Sequence, residues 1–150
     1  MQWKRVSGSA DHSGAHESWT QAKNELESYL KEQPESYLLI GELALTEMKL
    51  GENALAMTLA DRAVAANPIE KDAMTGPMSL EVVARVAAAT GDHDRSIAAL
   101  KKLLSIPYEG LLASHVPLTQ ALLKLDPMFD PLRNDPRFKA LTDSPAASAY

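Results

Sequence analysis

The chain contains no cysteine. It therefore forms no disulfide and offers no thiolate to a metal, which fits a reducing, cytoplasmic setting. Aromatic residues make up only 5% of the sequence, too few for the half-buried pleated surfaces of a sheet protein. No apolar run approaches the roughly 18 residues of a membrane span. The opening MQWKRVSGSADHSGAHES has a basic pair but no apolar core behind it, so no signal peptide is expected. An excess of basic residues is also missing. The net charge is −5, and an acidic chain repels the phosphates of nucleic acid. Neither nucleic acid nor membrane is an expected partner.

What remains is rich in alanine, leucine and helical spacing. The 150 residues suffice for one domain with a sizeable core. The organising stretch is 37–68. Leu39, Leu43, Ala44 and Met48 repeat at helical spacing before Gly51, and Leu55, Ala56, Leu59, Ala60 and Ala63 do so after it. Glycine tolerates the left-handed turn that stops a helix, and Pro68 lacks the amide a continuing helix needs. Alanines at 56, 60 and 63 let the second helix approach the first closely. Such a hairpin cannot bury its apolar faces alone and invites stacked copies.

Residues 1–14 are rich in Ser, Gly and His, without periodicity, and read as a flexible lead in which Trp3 is part of a loose tail. A helix follows from about Ala15 to Glu32, with Trp19, Ala22, Leu26, Tyr29 and Leu30 on its apolar side, and Pro34 ends it. Beyond Pro68, a joint closed by Gly76-Pro77 leads to a second pair. Leu80, Val83, Ala84 and Ala87 precede Gly91; Ile97, Leu100, Leu103 and Leu104 precede Pro107. Gly91 aligns with Gly51, and Ser96 with Ala56.

The tail carries Asp-Pro three times, at Asp126-Pro127, Asp130-Pro131 and Asp135-Pro136. Aspartate caps helix starts and proline suits the first helical position. Each pair is expected to start one turn and the next to end it. Met128, Phe129, Leu132, Phe138 and Leu141 then turn inward over the last helix pair, a capping task that stacked repeats require. Residues 143–150 read as a loose end.

Pro34 and Pro68 lie 34 positions apart, the period of the tetratricopeptide repeat. Residues 15–107 resemble one half repeat and two full ones. They depart from that pattern at Ile40 and Leu80, where tryptophan is common, and at Glu47 and Ala87, where tyrosine is common. The expected fold is all-α: antiparallel helix hairpins stacked as a right-handed α-solenoid over 15–107, with a cap of short helices over 108–142. The second half of the chain, through LDPMFDPLRNDPRF, is similar to the carboxy-terminal end of bacterial multidomain signalling proteins. In these a repeat array follows a serine/threonine kinase, a nucleotide cyclase or a winged-helix regulator. The resemblance implies a bacterial source and a regulatory or scaffolding array. It does not imply kinase activity, since the glycine loop, HRD and DFG elements are absent.

His12 and His16 share one side if helical, but no third metal ligand is placed near them by pattern. His93 and His115 fall at a turn and in a loop, without a nucleophile or second base. Ser28-Tyr29-Leu30-Lys31 spells S-x-x-K without its companion motifs. Lys101 and Lys102 complement a helix C-terminus, and Arg133 and Arg137 pair locally with Asp130 and Asp135. No catalytic, cofactor or metal site is expected, and the chain is read as a non-enzyme. By the resemblance, the first helix of each pair lines a concave face. There the helical wheel places Leu38, Gly41, Leu45 and Met48 in one repeat and Met78, Glu81, Arg85 and Ala88 in the other. An apolar groove suits a peptide or amphipathic helix from a protein partner, and methionine adapts to varied surfaces. The Lys/Asn set with which some such repeats hold a terminal carboxylate is missing from these faces. The alternative is a self-associating cap of a larger array, a homodimer through the open face of the first helix, led by Trp19 and Tyr29.

Overall fold

The computed structural model describes residues 8–111 and 115–144. Among these, helices and their connections account for all the secondary structure, with no strand. Seven α-helices follow in order: α1 (Gly8–Glu32), α2 (Tyr37–Lys49), α3 (Asn53–Ala66), α4 (Gly76–Thr90), α5 (His93–Leu104), α6 (Gln120–Leu125) and α7 (Pro136–Asp143), with a 3-10 helix (Pro127–Leu132) between the last two. The fold is all-α, and neighbouring helices pack on each other. α1 lies on α2, α2 on α3 and on α4, α3 on α4, and α4 on α5.

Local chemistry sets the hairpins. Ser36 caps α2 by accepting the Leu39 amide at 3.5 Å. Gly51 follows α2 and Gly91 follows α4, at φ of 85° and 87°, where a side chain would be strained. Between the hairpins, Asp72 accepts the amides of Met74 and Thr75 at 2.9 and 3.0 Å, forming a turn. Gly76 is required there for a second reason. A Cβ on it would come within 2.8 Å of the Ile69 backbone.

Two apolar clusters fill the interior. One joins α2, α3 and α4 through Ile40, Leu43, Ala44, Leu59, Val82, Val83 and Val86. Ala56, Ala60 and Ala63 are fully buried within it, so α3 meets α2 through its smallest side chains. The other joins α4 and α5 to the C-terminal segment through Ile97, Leu100, Leu103, Leu123, Phe129, Leu132 and Phe138. The 3-10 helix lies on α4, and α7 touches α5 and α6. The inward turn expected of Phe129, Leu132 and Phe138 is present; Met128 and Leu141 are half-buried.

Three expectations change. Helix α1 begins at Gly8, well before Ala15, so residues 8–14 are helical and only 1–7, with Trp3, lie outside the described residues. Serine and glycine disfavour a helix by well under a kilocalorie to about 1 kcal/mol each, which is too little to stop one already propagating. Ser18 and Thr20 hydroxyls donate to the carbonyls of Gly14 and His16, one turn back, instead of competing for backbone amides. Second, Asp126 and Asp135 do cap, accepting the amides of Met128 and Arg137 at 2.9 Å each, but Asp130-Pro131 starts nothing. Pro131 sits inside the 3-10 helix, and the Asp130 carboxylate is held by Arg133 Nε at 2.6 Å. Third, Asp143 ends α7 and does not belong to a loose tail; residues 145–150 lie outside the described residues.

Candidate binding groove

The eight residues read as a concave face divide into two sets. On α4, Met78, Glu81 and Arg85 are 5%, 1% and 1% exposed, and Ala88 is fully buried. They do not line an open groove, because the chain beyond α5 returns across α4. Arg85 Nε donates to Glu81 Oε2 at 3.2 Å, and Arg85 Nη1 donates to Asp126 Oδ2 at 2.6 Å. The same Nη1 lies 3.2 Å from Met128 Sδ, and the guanidinium stands 5.2 Å from the Phe129 ring centroid. Tyr108 Oη donates to Glu81 Oε1 and accepts the Leu118 amide, each at 2.8 Å. Burial, reinforced by the Glu81 charge, pushes the Tyr108 hydroxyl far above the ordinary tyrosine range. Burial acts to raise the Asp126 carboxyl, but the Arg85 hydrogen bond and the Met128 amide outweigh it and leave the value lowered. Glu81 and Arg85 are thus parts of a clamp that fastens Tyr108, Asp126, Met128 and Phe129 to α4.

On α2 the outcome differs. Gly41 is buried, and a Cβ there would stand 3.1 Å from Val82 Cγ2; its lack of a side chain lets α4 come close. Leu38 is exposed but points outside the groove, where Leu39 takes its place. Leu45 and Met48 do line an open groove of about 560 Å³ between α1 and α2. Its other wall is α1, through Trp19, Ala22, Leu26 and Tyr29, with Met128 contributed by the 3-10 helix. Trp19 and Tyr29 are 38% and 55% exposed. The two residues singled out for self-association and the two best placed for partner binding therefore share one surface. Glu25, Glu42 and Lys49 supply its charged lining.

Behind the groove, Glu47 is fully buried with Lys23 Nζ 2.8 Å from its Oε1. Apart from this ion pair, neither carboxylate oxygen has a partner among the described residues. The Glu47 hydrogen bond raises the Lys23 ammonium above its ordinary value, against the opposing effect of burial. The pair ties α1 to α2. A smaller hollow of about 490 Å³ lies between α3 and α5, lined by Val64, Leu80, Val83 and Ala99. The ion pair of Arg95 with Asp61 crosses it, and no aromatic side chain borders it.

The remaining candidates are scattered. His12 and His16 are exposed on α1; His93 opens α5. His115, at φ 51°, has Nδ1 3.1 Å from Glu109 Oε1. Ser28 and Lys31 are exposed on α1. Among the described residues no group of three His, Asp or Glu is placed to hold a metal. Arg133 and Arg137 make the local pairs expected of them, with Asp130 at 2.6 Å and Asp135 at 2.8 Å. Arg137 also reaches Asp94 on α5 at 2.5 Å. The Arg137 guanidinium holds the Asp135 carboxyl down at about 2. Sequence reasoning missed Met128 as a groove residue and the clamp across α4. The only signal for the latter was the presence of two charges, Glu81 and Arg85, on an otherwise apolar helix. No known protein family matches the chain, nor does any curated protein or solved structure.

Proposed function

We propose that the chain is a non-catalytic protein-binding module, built from tetratricopeptide-like hairpins stacked as a right-handed α-solenoid, that receives a helix or peptide in the groove between α1 and α2. Its place in the cell, on this reading, is regulatory or scaffolding work in bacterial signalling. The observation that carries the proposal is the groove itself. Trp19 and Tyr29 are exposed, with Leu26, Leu39, Leu45 and Met128 half-buried beside them, and clustered accessible apolar side chains of this kind mark interaction sites. Trp19 and Tyr29 are the residue types that dominate binding energy at interfaces. Repeats of hairpin form are supported by the matched left-handed glycines at 51 and 91 and by the contact of α2 with α4.

The test uses Trp19 as reporter. Trp3 and Trp19 are the only tryptophans, so a Trp3→Phe background isolates the groove signal. A synthetic amphipathic helical peptide with an alanine–leucine face and a lysine face, chosen to meet Glu25 and Glu42, should shift Trp19 emission saturably. Leu45→Glu should abolish the shift with helix content unchanged. A signal that ignores the peptide, or one that survives Leu45→Glu, would remove the groove as the binding site.

The second reading is the self-associating cap. It is favoured by the position of Trp19 and Tyr29 on α1, a helix that packs closely on α2 and leaves these two side chains exposed.

A further inference from the structure

Helix α1 is 25 residues long and its partner α2 only 13. Lys23 pairs with Glu47 near the end of α2, so the N-terminal half of α1 runs on past its neighbour. Residues 12–19 are all exposed, and nothing lies within 4 Å of the position a Cβ on Gly14 would take. Such a sequence, with Gly8, Gly14 and three serines in its first eleven residues, is a poor helix former. Propagation from the packed half of α1 keeps it helical, but it adds little stability of its own and has no face buried on a neighbour.

The groove stripe continues into this overhang without a break. His12, Ala15, Trp19, Ala22, Leu26 and Tyr29 follow one another at alternating spacings of three and four. That is the a/d seam of a coiled coil. The seam is also its own complement when reversed. With a second α1 laid antiparallel about a twofold between Thr20 and Gln21, Trp19 meets Ala22, Ala15 meets Leu26, and His12 meets Tyr29. Every layer sets a large side chain against a smaller one. The third layer puts an imidazole beside a phenol.

The interior of the molecule supplies the template for such a contact. α2 lies antiparallel on α3, against Ala56, Ala60 and Ala63, with Val82 and Val86 of α4 beside it. A helix in the α1–α2 groove would lie on α1 in the same sense, with Leu45 and Met48 of α2 beside it. We infer that the occupant of the groove is the N-terminal half of α1 from a second copy of this chain, in an antiparallel, twofold-symmetric dimer. The inference rests on the reading of the groove as a helix seat. Isologous contact lets both grooves fill at once. The layers from His12 to Tyr29 span about 27 Å of helix.

The absence of cysteine makes the register directly testable. Ala15→Cys and Leu26→Cys are prepared singly in the full chain and oxidised alone and mixed. The mixture should give an intermolecular disulfide, and neither variant alone should, because each cysteine then faces a different layer. Sedimentation should show a dimer at micromolar concentration that Ala22→Arg, placed opposite Trp19, converts to a monomer of unchanged helix content. A mixture that cross-links no better than its components overturns the proposal, as does a monomeric wild-type chain. If that monomer still shifts Trp19 emission with the helical peptide, the groove reading stands and only the second copy is removed. If it does not, both readings fall.

Discussion

α2 and α4 open their respective hairpins and align glycine to glycine, yet their outward faces have opposite fates. The face of α4 carries Glu81 and Arg85 and is sealed by the chain's own C-terminal segment. The face of α2 carries Leu45 and Met48 and stays open beside α1. The sealed face is the polar one. The buried Arg85 guanidinium takes Asp126 and the Glu81 carboxylate takes the Tyr108 hydroxyl, directional partners that a fixed segment supplies. The open face offers apolar shape with few directional demands, which an apolar helix from outside the fold can meet. The C-terminal segment thus gives α4 a permanent cover, and the α1–α2 groove is left for something else.

The largest effect that would break this contrast is expected at Arg85. Replacing it with alanine strands Glu81 and Asp126 in the interior without their cation. Removing one partner of a buried pair costs about 3–5 kcal/mol. Urea unfolding should register that loss, and the C-terminal segment should become the first region to exchange its amides. A stability change near zero would mean that the segment is held by Phe129, Leu132 and Phe138 alone. The clamp would then be incidental.

The hairpins were legible in the sequence because their causes are local. Gly51 and Gly91 need a left-handed turn, Pro34 and Pro68 cannot continue a helix, and Ala56, Ala60 and Ala63 mark a close contact. The fate of the α4 face was not legible. A helical wheel shows which residues share a side, but Arg85 meets Asp126 from 41 positions away, and no spacing rule reports that. The groove was half legible. Leu45 and Met48 stand out in the sequence on one helix and Trp19 and Tyr29 on another; that they share one groove depends on how α1 packs on α2, which no helical wheel contains. The helical reach of α1 is not legible because serine and glycine there weaken helix propensity without supplying a proline or a left-handed turn to end the helix.

The open end is open at its surface only. Behind the groove, α3 approaches α2 through three alanines with no exposed area. Ala56→Leu or Ala63→Leu should overpack that contact and cost about 1–3 kcal/mol in chemical denaturation. Full stability in both variants would show that the two helices have slack. The groove would then be a symptom of loose packing rather than a shaped seat.

A smaller effect separates the two ends by pH. The Tyr108 hydroxyl is held protonated by burial and by Glu81. Its folded value lies above the unfolded one, so its contribution is complete below about pH 10 and is lost as pH rises through the raised value. Stability should therefore fall on the alkaline side. Tyr108→Phe, at a cost of about 1 kcal/mol for the lost hydrogen bonds at neutral pH, should remove that part of the fall. An unchanged alkaline limb in the variant would assign it to other groups and leave Tyr108 no part in the seal.

The smallest expected effect on folding is at the groove itself. Tyr29 is 55% exposed, whereas Phe129, on the sealed side, is fully buried. Truncating a buried phenylalanine costs about 3–5 kcal/mol, but exposed positions away from special features change stability by no more than about 0.5 kcal/mol. Tyr29→Ala should thus leave the unfolding midpoint of the dilute chain almost in place. If it lowers stability as much as a core truncation does, Tyr29 belongs to the interior packing of α1 on α2. The open face would then be one more part of the core, with no surface left over for a partner to use.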